Sequence, residues 1–199
     1  KKKSVGDIFS KSLAMITILV TAAYFLHITT FYFILKWTPK IVADMGFEAA
    51  AAGGVLKWAN IGGVLGGITF GVLTARFGLK PLTIGILFLT TVGVAIFGRT
   101  PEDLGRMELL AAFAGFFGNA GVSGLYSIVA YSFPTHVRAT GTGFVIGVGR
   151  AGAVLSPILA GVMFDAGSTL PTVALVMGSG SAMAAIVLIF LKLNDDRPA

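Results

Sequence analysis

Apolar residues along this chain gather into six long runs separated by short polar stretches. The runs cover about 13–35, 53–75, 82–98, 109–131, 140–164 and 170–191. At about 1.5 Å of rise per residue, each helix crosses or nearly crosses a hydrocarbon core of roughly 30 Å. Glycine and proline recur inside the runs, which helices embedded in lipid tolerate better than soluble ones do. The pattern predicts an all-α membrane protein. A bundle of six transmembrane helices spans 13–191, between a short segment 1–12 and a tail 192–199. The run from Leu13 to Leu35 exceeds the apolar core of a signal peptide and is long enough to span.

The charges between the runs assign a direction. One side collects Lys1, Lys2, Lys3, Lys11, Arg76, Lys80, Arg138, Lys192 and Arg197. The other holds Lys36, Lys40, Arg99 and Arg106, diluted by Asp44, Glu48, Glu102, Asp103, Glu108 and Asp165. The positive-inside rule then puts both termini and the 75–81 and 132–139 loops in the cytoplasm, and an even number of spans agrees. Trp37 and Trp58 fall near the outer interface, and Lys57 is placed to snorkel there. On the second span Gly62 and Gly66, then Gly63, Gly67 and Gly71, are four apart, as are Gly143 and Gly147 on the fifth. Small residues at that spacing let helix backbones approach closely in lipid, so these positions are expected at helix contacts.

Composition narrows the chemistry. Of the 199 residues 55% are hydrophobic and 12% charged, with a mean hydropathy of +0.88; soluble domains carry about 25% charged residues. The net charge of +6 does not point to nucleic acid, because the cations flank apolar runs and form no single basic face. The absence of cysteine rules out disulfides, thiol catalysis and cysteine metal sites. Two histidines without an intramembrane carboxylate cannot build a metal centre, and no phosphate-binding Gly-x-x-x-x-Gly-Lys loop occurs. No cofactor, metal or ATP is expected. The first residue is Lys1, not methionine, so a fragment or processed product is expected.

Two loops carry a family resemblance. "GVLTARFGLKP", Gly71 to Pro81, resembles the loop motif of the major facilitator superfamily, G-x-L-x-D-R-x-G-x-K/R, through Gly71, Leu73, Arg76, Gly78 and Lys80. Ala75 stands where the family carries an aspartate that pairs with cations to latch helix ends. "FPTHVRATGTG", Phe133 to Gly143, with Pro134, Arg138 and Gly141, resembles the loop between the fourth and fifth spans of a facilitator C-terminal half, with Tyr131 where many members carry glutamate. "GVGRAGAVLSP", Gly147 to Pro157, and "ILKWTPKIVADMGF" after the first span look like the aromatic acid:proton symporter branch. The resemblance covers nearly the whole chain. It implies the C-terminal six-helix half of a twelve-helix carrier in a bacterial inner membrane, with an N-terminal six-helix half as its partner. Substrate would bind near the midplane between halves that rock to alternate access, lined here by the first, second, fourth and fifth spans. The implied cargo is a small organic anion moved with protons. Carriers for other metabolites, sugars or organic ions share the Phe-Pro-Thr and Arg-x-x-Gly pattern.

Arg150 is the sharpest chemical feature. It lies about ten residues into the fifth span, roughly 15 Å deep, where arginine costs about 2.5–3.5 kcal/mol on insertion scales. All nine acids lie in loops or at span ends, so none reaches its depth. Either Arg150 offers its fork to a substrate carboxylate, or it pairs with carbonyls or an acid of the partner half. Tyr24, His27 and Phe31 share a face of the first span, which suits stacking on an aromatic ring as well as packing. His27 is the one titratable group within the membrane besides the tyrosines and cations, and histidine's ordinary pKa near 6.5 suits proton exchange. A lone histidine within a span is more often a hydrogen-bonded helix contact. Asn119, Ser123 and Tyr126 form a polar stripe on the fourth span, and Asn60 adds an amide on the second. Each is a ligand candidate or an interhelical hydrogen-bond partner. The coupling carboxylate is expected in the partner half.

Two rivals differ in class. "GVSG", Gly121 to Gly124, is similar to the serine motif of intramembrane serine proteases, but the sixth span offers no histidine as base. A stand-alone six-span channel or homodimeric carrier is the other. The sequence thus predicts a transporter half and not an enzyme.

Overall fold

The computed structural model of the chain describes residues 5–192. The lysines at 1–3 and the charged residues after 192, which contributed to the orientation argument, lie outside the described residues. A 3₁₀ turn at Val5–Phe9 precedes seven α-helices: α1 (Ala14–Asp44), α2 (Ala49–Phe77), α3 (Leu79–Phe97), α4 (Leu104–Ser132), α5 (Arg138–Gly149), α6 (Ala151–Asp165) and α7 (Leu170–Phe190). No strand occurs among the described residues. Counting 138–165 as one interrupted span, six helices are long and apolar enough to cross a membrane. The chain is therefore an integral membrane protein.

The helices run further than hydropathy alone predicts. α1 continues past Leu35 through Trp37 and Pro39, and its last turn carries the Lys40–Asp44 ion pair at 2.8 Å, four residues apart. Between α2 and α3 the expected 75–81 loop shrinks to one residue, Gly78, whose φ of 78° turns the chain in a conformation that a Cβ disfavours. Asp103 caps α4 by accepting a 2.8 Å hydrogen bond from the Arg106 amide. Part of the segment before the first span is docked on the bundle. Ile8 is fully buried, its carbonyl accepts from Thr17 Oγ1 at 2.7 Å, and Phe9 meets Phe144 edge-on at 5.2 Å.

Packing divides the bundle into two groups. α4 lies against α2 and α3, while α1 lies against α5, α6 and α7; contacts of α1 with α4 and of α3 with α7 join them. One apolar cluster gathers Tyr24, Leu125, Phe133, Val145 and Leu188, and another gathers Phe33, Val42, Phe97, Met107 and Met177. Hydroxyls tie α7 to its neighbours: Thr30 Oγ1 donates to the Met177 carbonyl at 2.6 Å and Thr91 Oγ1 to that of Gly178 at 2.8 Å. Such bonds contribute about 0.6 kcal/mol each on average between membrane helices.

The closest approach is between α2 and α4. A Cβ on Gly62 or Gly66 would run into the backbone of Ala112 or Phe116, and one on Gly115 into that of Ala59. Gly63 and Gly67 face the side chains of Asn119 and Ser123. Gly71, Gly143 and Gly147 break the expectation. A Cβ at any of them would meet nothing within 4 Å, so their spacing serves no helix contact among the described residues. We expect Gly62→Val and Gly115→Val to lower stability by on the order of 1–3 kcal/mol through overpacking. Gly85→Ala, on the open side of α3 where a Cβ meets nothing, should be neutral or stabilising by about 0.5–1 kcal/mol. Detergent-driven unfolding of the purified full-length protein measures both.

Candidate functional site

Arg150 occupies the break between α5 and α6. Three glycines in the six residues 147–152 weaken the helix there, and Pro157 in α6 has no amide hydrogen to donate back to Ala153. The Arg150 amide still donates to the Ile146 carbonyl at 3.0 Å, and its own carbonyl accepts from Ala153 at 2.9 Å, closing a tight turn. Gly149 lies against the Tyr24 ring, where a Cβ would collide. That contact presses the turn onto α1. The Arg150 side chain is exposed on the bundle and lies beside the hydroxyls of Tyr126 and Tyr24. Those hydroxyls are 3.2 Å apart and their rings 5.6 Å apart. One cation and two phenol hydroxyls thus converge from three helices, with no carboxylate among Arg150's neighbours in the described residues.

A second feature opens farther along the same helices. A cleft of about 130 Å³ lies between α1, α2 and α4, with α3 behind it. Phe31, Ile34 and Val64 give it apolar walls, and Asn60, Asn119 and Thr90 supply its polar groups. Phe31 seats on Gly118, where a Cβ would stand 3.0 Å from the ring. Asn119 Nδ2 donates to the Gly63 carbonyl at 2.7 Å, which the bare α2 glycines make reachable. Asn60 Nδ2 donates to the Leu56 carbonyl one turn back at 2.7 Å. Ser123 Oγ donates to the Asn119 carbonyl at 3.0 Å and sits one turn from the cleft toward Tyr126. Sequence reasoning missed Thr90, one of many threonines in the apolar runs, and Gly118, whose role is to make room for a ring.

The sequence candidates therefore separate. Tyr24, Tyr126 and Arg150 meet at one level, and Phe31, Asn60 and Asn119 meet at the cleft. The shared face of Tyr24, His27 and Phe31 does not form one ligand-facing surface. His27 is fully buried between α1, α4 and α7. Its Nε2 donates to the Gly118 carbonyl at 2.9 Å, which leaves Nδ1 to accept from Ser181 Oγ at 2.8 Å. Lys57 leans on its neighbour Trp58, with Nζ 5.4 Å from the ring centre.

The loop motifs act at the far end of the bundle. Lys80 Nζ donates to the carbonyls of Ile189 and Leu191 at 3.2 and 2.6 Å, satisfying the last turn of α7. Arg76 is exposed, its guanidinium 5.9 Å from the Phe77 ring. After Phe133, Pro134 starts a turn in which the Val137 amide donates to the Pro134 carbonyl. Arg138 Nε donates to the Phe133 carbonyl at 3.3 Å, and Gly141 leaves room for the buried Phe133 ring.

Residues 8–199 match the family model described as Major Facilitator Superfamily. The chain is 29% identical over 191 residues to a 3-(3-hydroxy-phenyl)propionate transporter of Escherichia coli, covering 96% of this chain and 47% of that protein. It is 31% identical over 194 residues to a 4-hydroxybenzoate transporter of Pseudomonas aeruginosa, covering 95% and 43%. A benzoate transport protein of Acinetobacter baylyi is 29% identical over 157 residues, covering 79% and 34%. The chain spans less than half the length of these curated relatives. We expect His27→Ala, which strips the Gly118 carbonyl and the Ser181 hydroxyl of their partner, to lower the unfolding free energy by about 1–3 kcal/mol. Ser181→Ala should cost less, and detergent-driven unfolding of the full-length protein ranks the two.

Proposed function

This chain belongs to the major facilitator superfamily, and from that premise we propose that it is the C-terminal six-helix half of a secondary transporter for aromatic or related organic carboxylates. The observation that carries the reading is Arg150. Its guanidinium is exposed at a helix break within the membrane span, flanked by two phenol hydroxyls and by no acid. A permanent cation at that depth calls for an anion or water. A carboxylate matches the guanidinium fork with two parallel hydrogen bonds. The Tyr24 and Tyr126 hydroxyls bond to each other, which spends one O–H and leaves the other as a further donor beside the guanidinium.

The relatives supply the chemical class, since those described above are named as transporters of phenylpropionate, hydroxybenzoate and benzoate type. The remaining parts of the proposal follow from what this half presents. α5 carries a smooth face at Gly143 and Gly147, open in this chain, on which a companion half can slide as access alternates. His27 is closed in by Gly118 and Ser181 and makes a poor proton relay. We therefore assign the proton-coupling group to the companion half and place both termini in the cytoplasm by the distribution of cations.

The test is equilibrium binding of benzoate by the purified full-length protein, with uptake into proteoliposomes alongside. Arg150→Ala should weaken binding by roughly 10–100-fold, the value of a charge-assisted hydrogen bond or two. Arg150→Lys, which keeps the charge and loses the fork, should fall between. Binding unchanged in both variants removes the carboxylate role.

A further inference from the structure

The cleft beyond Arg150 differs from it in chemistry. Arg150 presents charge and hydrogen-bond donors, whereas the cleft's polar groups are neutral and offer acceptor oxygens beside amide N–H groups. Thr90 Oγ1 donates to the Ile86 carbonyl at 2.9 Å, which leaves its oxygen only as an acceptor. Asn60 and Asn119 each commit one Nδ2 hydrogen to a carbonyl of α2, and the Oδ1 of each has no hydrogen-bond partner among the described residues. What remains along this wall is three acceptor oxygens and one spare N–H on each amide. A carboxylate, which only accepts, would leave the three oxygens unpaired. A hydroxyl, which donates and accepts at once, matches well.

The spacing suits a two-ended ligand. Asn119 and Tyr126 are seven residues apart on α4, so the cleft and the Arg150 level are separated by about 10 Å. Phe31 and Tyr24 repeat that separation on α1. A benzene ring with substituents at opposite ends, plus a hydrogen bond at each end, spans a comparable length. The cleft of about 130 Å³ is near the size of apolar cavities, about 150 Å³, that accept a benzene ring. Its walls offer the Phe31 ring for edge or offset stacking. It is also reachable, since Val64 at its rim is 61% exposed and Asn60 is exposed.

We propose that Asn60 and Asn119 are specificity-determining residues that read a hydroxyl on the ring end remote from the carboxylate, so that this transporter selects hydroxylated aromatic acids over unsubstituted or capped ones. The inference rests on Arg150 holding the carboxylate. Thr90 narrows the same wall from α3. A site built to hydrogen-bond a hydroxyl rejects the analogue lacking it far better than an apolar pocket rejects an added group, because its own polar atoms are then left unpaired.

The probes are benzoate, 4-hydroxybenzoate and 4-methoxybenzoate, with equilibrium affinities measured on the purified full-length protein. The wild type should bind 4-hydroxybenzoate at least about tenfold more tightly than 4-methoxybenzoate. Asn60→Leu and Asn119→Leu should each bring that ratio toward one while benzoate affinity stays within about twofold, because neither touches the carboxylate end. Asn60 bonds only within its own helix, so its variants keep the fold even where Asn119→Leu disturbs the α2–α4 contact. Asn60→Asp, which keeps an acceptor, should retain the preference. A ratio near one in the wild type, or a ratio that survives both leucine variants, overturns the proposal. The anchor is judged separately: benzoate binding lost in Arg150→Ala upholds the carboxylate reading whatever the ratio does, and benzoate binding retained there overturns the reading and this inference with it.

Discussion

The contact of α2 with α4 sets the geometry on which the rest depends. Two helices normally hold their axes 8–10 Å apart, with side chains filling the space between. Here Gly62, Gly66 and Gly115 present no side chain, and backbone meets backbone where a Cβ would have no room. In lipid the gain comes from packing, not from removing apolar surface from water. The close approach brings the Gly63 carbonyl within reach of Asn119 and seats Ser123 beside Gly67. The Asn119 amide on that face of α4 is placed by the absence of side chains on α2.

A membrane interior makes polar groups informative, because each must find a partner or cost several kcal/mol. His27, Thr30, Thr91 and Ser181 meet that demand inside the bundle and stitch α7 to α1, α3 and α4. Lys80 and Arg138 meet it at one end by closing on backbone carbonyls. Arg150 and the oxygens of Asn60 and Asn119 do not meet it within the described residues to the same degree. With Trp37 Nε1, Thr142 Oγ1 and Ser156 Oγ, which find no hydrogen-bond partner among the described residues, they are the groups left for water, a companion half or a guest. The same accounting that gives His27 two partners inside the bundle leaves Arg150 as the candidate for the proposed carboxylate site.

The break at Arg150 shows local sequence serving both ends. Three glycines within six residues weaken the helix, and one of them, Gly149, gives up a side chain so that the Tyr24 ring can lie against it. The Tyr24 ring is buried while its hydroxyl joins Tyr126 beside the guanidinium.

The amino-acid order alone determined the six membrane crossings, because an apolar run of sufficient length has no other stable home than lipid. It determined the family through the Gly71–Pro81 and Phe133–Gly143 loops, and it singled out Arg150 because no acid shares its depth. It did not determine which way each helix faces. Spanning helices are apolar all round, so no amphipathic stripe marks an inner side. That is why Tyr24, His27 and Phe31 read as one surface along the chain, yet only Phe31 reaches the cleft. Gly143 and Gly147 look like packing glycines for the same reason, although nothing lies against them. Rotation of each helix about its axis is set by contacts with neighbours distant in sequence, above all by where backbones can touch. Only the tertiary structure decided which polar groups found a partner inside the bundle and which were left facing outward.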